Sequence, residues 1–139
     1  MAVAITQTAN PAGVSAVSTT ATYTGASIGT ATSDRIVVVV VGTELAAANP
    51  SACTIDSTAM TAATGGDFGA LQTQIFYIAW PTGTTAEFAV TFSAVSPSNI
   101  QNHIAVYAIT GASDTLSAEG GDGTTDAQDD LLTTGSTTI

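Results

Sequence analysis

The stretch from Arg35 to Gly42 constrains the fold more than any other part of the chain. Residues 36–41 are six consecutive β-branched residues, which are restricted at χ1 and fit a pleated sheet. The run does not alternate between apolar and polar residues, so we predict a strand that is covered on both faces. A helix is disfavoured because the run is short and ends at a glycine. The run therefore predicts a central strand in a β-sheet core.

Other segments have the character of strands, and none shows sustained helical periodicity. Residues 3–7 and 87–92 alternate between apolar and polar, with Phe88, Val90 and Phe92 predicted to face inward. Residues 103–109 form a second, nearly continuous apolar run, which we expect beside the valine strand. At 139 residues the chain is long enough for one domain with two layers. We predict an all-β fold, a single jelly-roll-like β-sandwich of about eight strands, with an immunoglobulin-like sandwich as the alternative.

Three connections between strands are predicted from turn residues. Residues 53–55 and 59–62 are expected to form a hairpin around a polar tip at residues 56–58. The glycine-rich residues 65–69 are predicted to be a loop. Residues 71–80 and 87–92 are expected to form a second hairpin, because Pro81 and Gly83 favour a turn between them.

The charge of the chain excludes two classes of partner. The formal net charge is −10, Arg35 is the only basic side chain besides His103, and there is no lysine. A nucleic-acid-binding protein needs Lys and Arg to neutralise phosphates, so we predict no nucleic-acid partner and no anionic membrane partner. The valine run is also much shorter than the roughly 20 residues that span a bilayer. Most acidic side chains must face water, bind a cation or meet a basic partner.

More than half of the acidic residues lie in the last part of the chain, from residue 114 onward. We predict a β-sandwich core at residues 1–113, followed at 114–139 by an acidic loop and a C-terminal strand or arm that packs on the same domain or on a neighbour. Oxygen ligands for calcium could come from a short stretch of this loop, with the candidates Asp122, Asp126, Asp129 and Asp130. Their spacing differs from the EF-hand pattern, and a solvated loop is the alternative interpretation. We predict no other cofactor.

The residue types that catalysis needs are scarce. His103 is the only histidine, and a Gly-x-Ser-x-Gly turn for a serine nucleophile is absent. Cys53 is the only cysteine and is expected to be a small buried hydrophobe in a strand. We therefore predict that the protein is not an enzyme. Tyr77 and Trp80 are candidates for ligand binding, since aromatic side chains at a sandwich rim can stack on sugar rings, and a core role for Trp80 is the alternative.

Several segments together resemble a group of tailed-bacteriophage virion structural proteins. The resemblance covers roughly residues 20–112 and consists of strand and turn patterns without a catalytic residue. The matching segments are residues 22–29 (TYTGASIG), 34–42 (DRIVVVVVG), 53–60 (CTIDSTAM), 75–86 (IFYIAWPTGTTA) and 104–112 (IAVYAITGA). In that group such domains are β-sandwiches that serve as capsid decoration or cement proteins, or as modules of tails and fibres.

The resemblance implies a function and a location for this chain. It implies a non-enzymatic protein on the outer capsid surface, assembled in the host cytoplasm, that stabilises contacts between capsid subunits. The implied partners are further copies of the chain, as a homotrimer, and the major capsid protein. Strong negative charge favours a surface that does not face packaged DNA. A carbohydrate- or receptor-binding module of a phage tail or fibre is the alternative.

Overall fold

The computed structural model describes residues 3–11, 18–44, 48–63, 66–68, 71–94 and 102–112. Within these ranges the chain forms ten strands and no helix. The strands are β1 (Ala4–Ala9), β2 (Thr20–Ser27), β3 (Ile36–Thr43), β4 (Pro50–Ile55), β5 (Thr58–Ala59), β6 (Thr61–Ala62), β7 (Gly66–Phe68), β8 (Leu71–Ala79), β9 (Thr85–Phe92) and β10 (Asn102–Thr110). The prediction of an all-β fold is therefore confirmed.

The strands form two antiparallel sheets that pack against each other. In the described ranges the first sheet has the order β1-β10-β3-β8-β6, and β7 also pairs with β8; the second has the order β2-β9-β4-β5. Consecutive strands alternate between the sheets except at the β4–β5 hairpin and along the β6–β7–β8 segment. Sheets β1-β10-β3-β8 and β2-β9-β4-β5 together have the strand order of an eight-stranded jelly roll. An immunoglobulin-like sandwich would place the first two strands in one sheet, whereas β1 and β2 lie in different sheets.

Strand β3 is central, as the valine run predicts. It pairs with β10 on one side and with β8 on the other. Val37, Val39 and Val41 belong to the core between the sheets, and Ile36 and Val38 belong to a second apolar cluster on the opposite face of the first sheet. Both faces of the strand are thus covered by apolar side chains, which explains the lack of alternation in its sequence.

The core between the sheets is made by alternating inward-facing residues of both sheets. Phe88, Val90 and Phe92 of β9 are 0–2% exposed, which confirms the predicted inward face of that strand. Cys53 of β4 is buried beside them in the same cluster, as predicted. Burial of such side chains contributes about 1.5–3 kcal/mol each to folding, so this layer is the main source of stability.

The predicted hairpin between residues 71–80 and 87–92 is wrong. β8 lies in the first sheet, whereas β9 lies in the second sheet between β2 and β4. The Pro81–Gly83 connection therefore carries the chain across the sandwich instead of reversing it within one sheet. Turn residues favour a change of direction in both cases, so they do not distinguish a hairpin from a crossover.

The segment from β5 to β7 also differs from expectation. The predicted hairpin with a polar tip exists between β4 and β5, but the chain passes at Met60 into the first sheet, where β6 pairs with β8. Gly66–Phe68, predicted to be loop, is strand β7 and pairs with residues 71–73 of β8. The glycine-rich sequence of β7 does not by itself predict a strand. The segment is a strand because its backbone groups form hydrogen bonds with the long strand β8.

The β4–β5 hairpin closes through a strained two-residue turn. Asp56 and Ser57 both have positive φ, at 44° and 67°. Such a pair is typical of a type I′ turn, in which glycine is usually favoured. Asp56 is held in place because its amide donates to the Glu87 carbonyl at 2.9 Å and its Oδ1 accepts from the Glu87 amide at 2.8 Å. These two bonds anchor the turn to β9.

Candidate functional site

The first sheet has an outward face that is apolar and uncharged, and we call it the outer face. Along each strand the residues that alternate with the core residues point there, and the strand register places them side by side. By register the outer face contains no Asp, Glu, Lys or Arg among the described residues of β1, β10, β3, β8 and β6. Its residues are Ile5, Gln7, His103, Ala105, Tyr107, Ile109, Ile36, Val38, Val40, Gly42, Thr73, Ile75, Tyr77, Ala79 and Thr61.

The centre of the outer face is a row of aromatic and β-branched side chains. Tyr107 of β10 pairs with Val38 of β3, and Val38 pairs with Tyr77 of β8. The two tyrosines are therefore two strand spacings, about 10 Å, apart. Both are half-buried and pack against the buried trio Ile36, Val38 and Ile109. The arrangement places two amphipathic rings on the same face of the sheet, where they could contact another surface or a ring-shaped ligand.

The sequence-predicted pair Tyr77 and Trp80 does not form one site. Tyr77 packs in the outer cluster, whereas Trp80 is half-buried and packs against the core cluster between the sheets. Side chains alternate along a strand, so residues 77 and 80 have opposite parity, and this signal was available in the sequence. The partner of Tyr77 on the outer face is Tyr107, which the sequence analysis did not select.

The four calcium candidates Asp122, Asp126, Asp129 and Asp130 lie outside the described residues, as does the whole predicted acidic loop and arm at 114–139. Among the described residues no group of three or more His, Cys, Asp or Glu side chains could hold a metal ion. The described ranges also contain no helix that is long and apolar enough to cross a membrane.

Arg35 is buried, and this is the main feature that the sequence analysis missed. Its side chain is 1% exposed, and burial lowers its pKa. The guanidinium donates to the carbonyl of Trp80 at 2.8 Å, to those of Gly29 and Gly83 at 3.0 Å each, and to that of Thr82. We call this set the arginine clamp. It ties together the β2–β3 and β8–β9 connections, both of which cross between the sheets.

The clamp depends on two glycines with left-handed backbone. Gly29 has φ of 76° and Gly83 has φ of 72°, a conformation that L side chains rarely adopt. A Cβ at Gly29 would also lie 3.0 Å from Cγ2 of Thr8. Both glycines turn their carbonyls toward the guanidinium. With its only arginine bound internally and no lysine in the chain, the described surface is anionic.

Asp34, the neighbour of Arg35, is used differently. Its Oδ2 accepts a hydrogen bond from the Gly111 amide at 2.7 Å, and this bond is the main reason that the Asp34 pKa lies below its ordinary value. The carboxylate therefore fastens the end of β10 to the start of β3. A cleft of about 130 Å³ lies beside it, lined by Ser33, Asp34, Arg35, Ile36, Ala79 and Ala112. Ligand pockets for drug-sized molecules are larger, roughly 300–1,000 Å³.

A row of polar side chains is buried at the other end of the core. Asn102, Thr43 and Gln72 are directly paired across β10, β3 and β8 and are 1–6% exposed. The Tyr23 hydroxyl donates to the Asn102 carbonyl at 2.9 Å, while the amide Oδ1 and Nδ2 of Asn102 have no protein partner. A buried amide of this kind is usually satisfied by ordered water.

Cys53 of β4 and His103 of β10 lie in different sheets. Burial raises the pKa of the Cys53 thiol to about 12, so the reactive thiolate is scarce at neutral pH. His103 is exposed near the start of β10, and its partner in register on β3 is Gly42.

Comparison with known proteins gives no match: no family model, no curated protein and no solved structure is significantly similar to the chain.

Proposed function

We propose that the protein is a non-enzymatic virion structural protein that decorates the outside of a capsid and stabilises contacts between capsid subunits. The observation that carries the proposal is the outer face, an apolar surface without charged residues among the described residues, in a chain of net charge −10. Ile36, Val38 and Ile109 of this face are 1–6% exposed, so the part available to a partner is formed by the half-buried Val40, Ile75, Tyr77 and Tyr107. Contiguous apolar surface that a partner can reach is characteristic of interaction sites. The jelly-roll strand order supports the proposal, since viral capsid proteins use that architecture, and so does the resemblance to phage virion proteins.

Electrostatics favour the exterior of the particle. The arginine clamp uses the only arginine internally, so the surface offers no cationic side chain for packaged DNA apart from His103. The proposed partners are the major capsid protein and further copies of the chain. A trimer is what the resemblance implies, and it stays a prediction.

The location is tested by immunogold labelling of particles from the virus that encodes the chain. Antibody raised against the purified protein is expected to label intact particles. Labelling that requires disrupted particles would place the chain inside the shell and contradict the proposal.

The contact surface is tested by two variants of equal charge. Val40→Glu places a carboxylate in the middle of the outer face, and Thr22→Glu places one on the exposed side of β2 in the other sheet. We expect Val40→Glu to lose particle binding and Thr22→Glu to keep it. Both proteins must give the circular dichroism of the parent chain. Equal binding by the two variants would exclude the outer face as the contact surface.

A carbohydrate-binding module of a tail or fibre is the second candidate, and the pair Tyr77 and Tyr107 favours it. Lectins also use jelly rolls, and rings about 10 Å apart on one face could stack on two sugar units of a chain that are separated by one further unit. This candidate predicts specific binding on a glycan array that is lost in Tyr107→Ala and in Tyr77→Ala but kept in Thr22→Ala. Absence of binding by the parent chain would remove the candidate.

A further inference from the structure

The edge strand β1 and Val3, the residue before it, carry the exposed large hydrophobic side chains of the described residues. Val3 is 46% exposed and Ile5 is 60% exposed. Ile5 is paired with Ile109 of the outer face, so its side chain extends that apolar face to the edge of the sheet. The strand order places β10 on one side of β1 and no described strand on the other. At these residues an apolar edge therefore coincides with a backbone edge that has no described strand beside it.

The second half of β1 is covered, and the first half is open. Thr8 Oγ1 donates to the carbonyl of Ser27 at 2.9 Å, and Gly29 packs against the Thr8 methyl group. The register with β10 also shifts between Gln7 and Ala9. These contacts fix Thr8 against the end of β2, while residues 3–7 are exposed. The exposed part of the edge is thus five residues long, enough for one short strand pairing.

This open edge lacks the devices with which proteins prevent strand pairing. Natural edges carry lysines, prolines or inward-pointing charges that block the approach of another strand. Residues 3–9 contain no charged residue and no proline. An unprotected edge that persists in a protein is expected to have a partner strand.

We propose that residues 3–7, which are Val3 and the first four residues of β1, pair antiparallel with the same residues of a second copy of the chain, around a twofold axis near Ile5. The charge argues for this occupant. Like charges oppose the approach of two copies, and residues 3–9 and the described residues of the adjoining outer face contain no carboxylate, so two copies can meet there without opposing the charges of these residues. A strand edge is also self-complementary under a twofold axis, as an isologous interface requires. The pairing joins the two first sheets into one and brings the two Ile5 side chains together.

A cysteine at position 5 tests the axis directly. Ile5→Cys is expected to form a disulfide-linked dimer on oxidation, because a residue on the axis lies directly opposite its own copy. The native Cys53 is 2% exposed with its pKa raised to about 12, so it does not react in its place. Thr22→Cys, on the exposed side of β2, is the matched control and is expected to remain monomeric on a non-reducing gel. Equal cross-linking of the two variants would overturn the proposal.

Sedimentation of the parent chain and of Ile5→Asp provides the second measurement. We expect the parent to form a concentration-dependent dimer, Ile5→Asp to weaken it by about tenfold or more, and Thr22→Asp to leave it unchanged. A parent chain that is monomeric at all concentrations, or a trimer that Ile5→Asp does not affect, would contradict the twofold pairing. These measurements do not depend on where the protein lies on a particle. The twofold pairing can therefore be wrong while the proposed function is right, and the proposed function can be wrong while the pairing is right.

Discussion

Among single residues, Arg35 has the largest structural role, although the sequence predicts no hydrogen-bond partner for it. Arg35 has no complementary carboxylate in its clamp and is satisfied by four backbone carbonyls. A planar guanidinium with five donors can serve several carbonyls at once, which an ammonium group cannot. Because the carbonyls belong to both crossover connections, the clamp fixes how the two sheets are joined at this end of the sandwich.

Replacement of Arg35 should destabilise the protein strongly, even when lysine keeps the positive charge. Arg35→Met leaves buried carbonyls without donors, and we expect a loss of about 3–5 kcal/mol in the free energy of unfolding. Arg35→Lys should lose nearly as much. Urea denaturation followed by fluorescence of Trp80, the only tryptophan, measures both variants. Ser33→Ala, an exposed neighbour, is the control and should cost less than about 0.5 kcal/mol. A small loss of unfolding free energy in Arg35→Lys would show that the planar guanidinium with its several donors is not required.

The lowered pKa of Asp34 predicts how the free energy of unfolding changes with pH. The hydrogen bond from the Gly111 amide lowers its pKa in the folded protein below the ordinary value of 3.8. A group with a depressed folded pKa stabilises the fold above its unfolded pKa and loses that contribution as the pH falls through the folded pKa. Asp34→Asn lacks the contribution at every pH. The difference in unfolding free energy between parent and variant should thus be largest near neutral pH and shrink in strong acid; a constant difference would contradict this assignment.

At the scale of elements, β3 shows how one strand can organise two surfaces. Its odd-numbered valines fill the core, and its even-numbered residues form the outer cluster or border it. Val39 is fully buried, whereas Val40 is half-buried on the outer face. The strand therefore offers a matched pair of neighbouring, chemically identical positions.

Valine-to-threonine substitutions should distinguish these two positions. Threonine has nearly the same shape but adds a hydroxyl, which is costly where no hydrogen-bond partner is available. We expect Val39→Thr to lose about 1–3 kcal/mol of unfolding free energy and Val40→Thr less than about 0.5 kcal/mol. Chemical denaturation of the isolated protein measures both. Equal losses would mean that the inner and outer faces are wrongly assigned.

The β4–β5 hairpin holds strain that one substitution should relieve. Ser57 has φ of 67°, where a side chain costs about 1 kcal/mol and glycine does not pay this cost. Ser57→Gly should raise the free energy of unfolding by about 0.5–1 kcal/mol, after allowance for the greater backbone entropy of glycine. Ser57→Ala keeps the strain and is the control. Stabilisation by alanine as well as glycine would show that the backbone conformation is not the cause.

The sequence predicts single strands better than it predicts connections. The position of β3, its neighbour β10 and the inward residues of β9 follow from local patterns of apolar residues. The β8–β9 crossover does not, since Pro81 and Gly83 are compatible with either a hairpin or a crossover. The arginine clamp was missed because every residue has a backbone carbonyl, so the sequence does not show which of them accept hydrogen bonds from Arg35. The outer-face pair Tyr77 and Tyr107 was missed because it depends on strand register across β3, which a single sequence does not define.

At the scale of the whole molecule, the distribution of charge defines two kinds of surface. The chain carries a net charge of −10, while the outer face and the β1 edge carry no charge in the described residues. The contacts that we propose therefore lie on the uncharged surface, where like charges do not oppose them. The same division accounts for the proposed position on the outside of a capsid, where acidic surface faces solvent.

The position of the protein in the particle can be read from a map of the assembled particle at side-chain resolution. We expect density for the chain outside the capsid shell, with Val40, Tyr77 and Tyr107 buried against a neighbouring subunit and the second sheet facing solvent. Density inside the shell, or outside it with the outer face open to solvent, would exclude the proposed capsid contact.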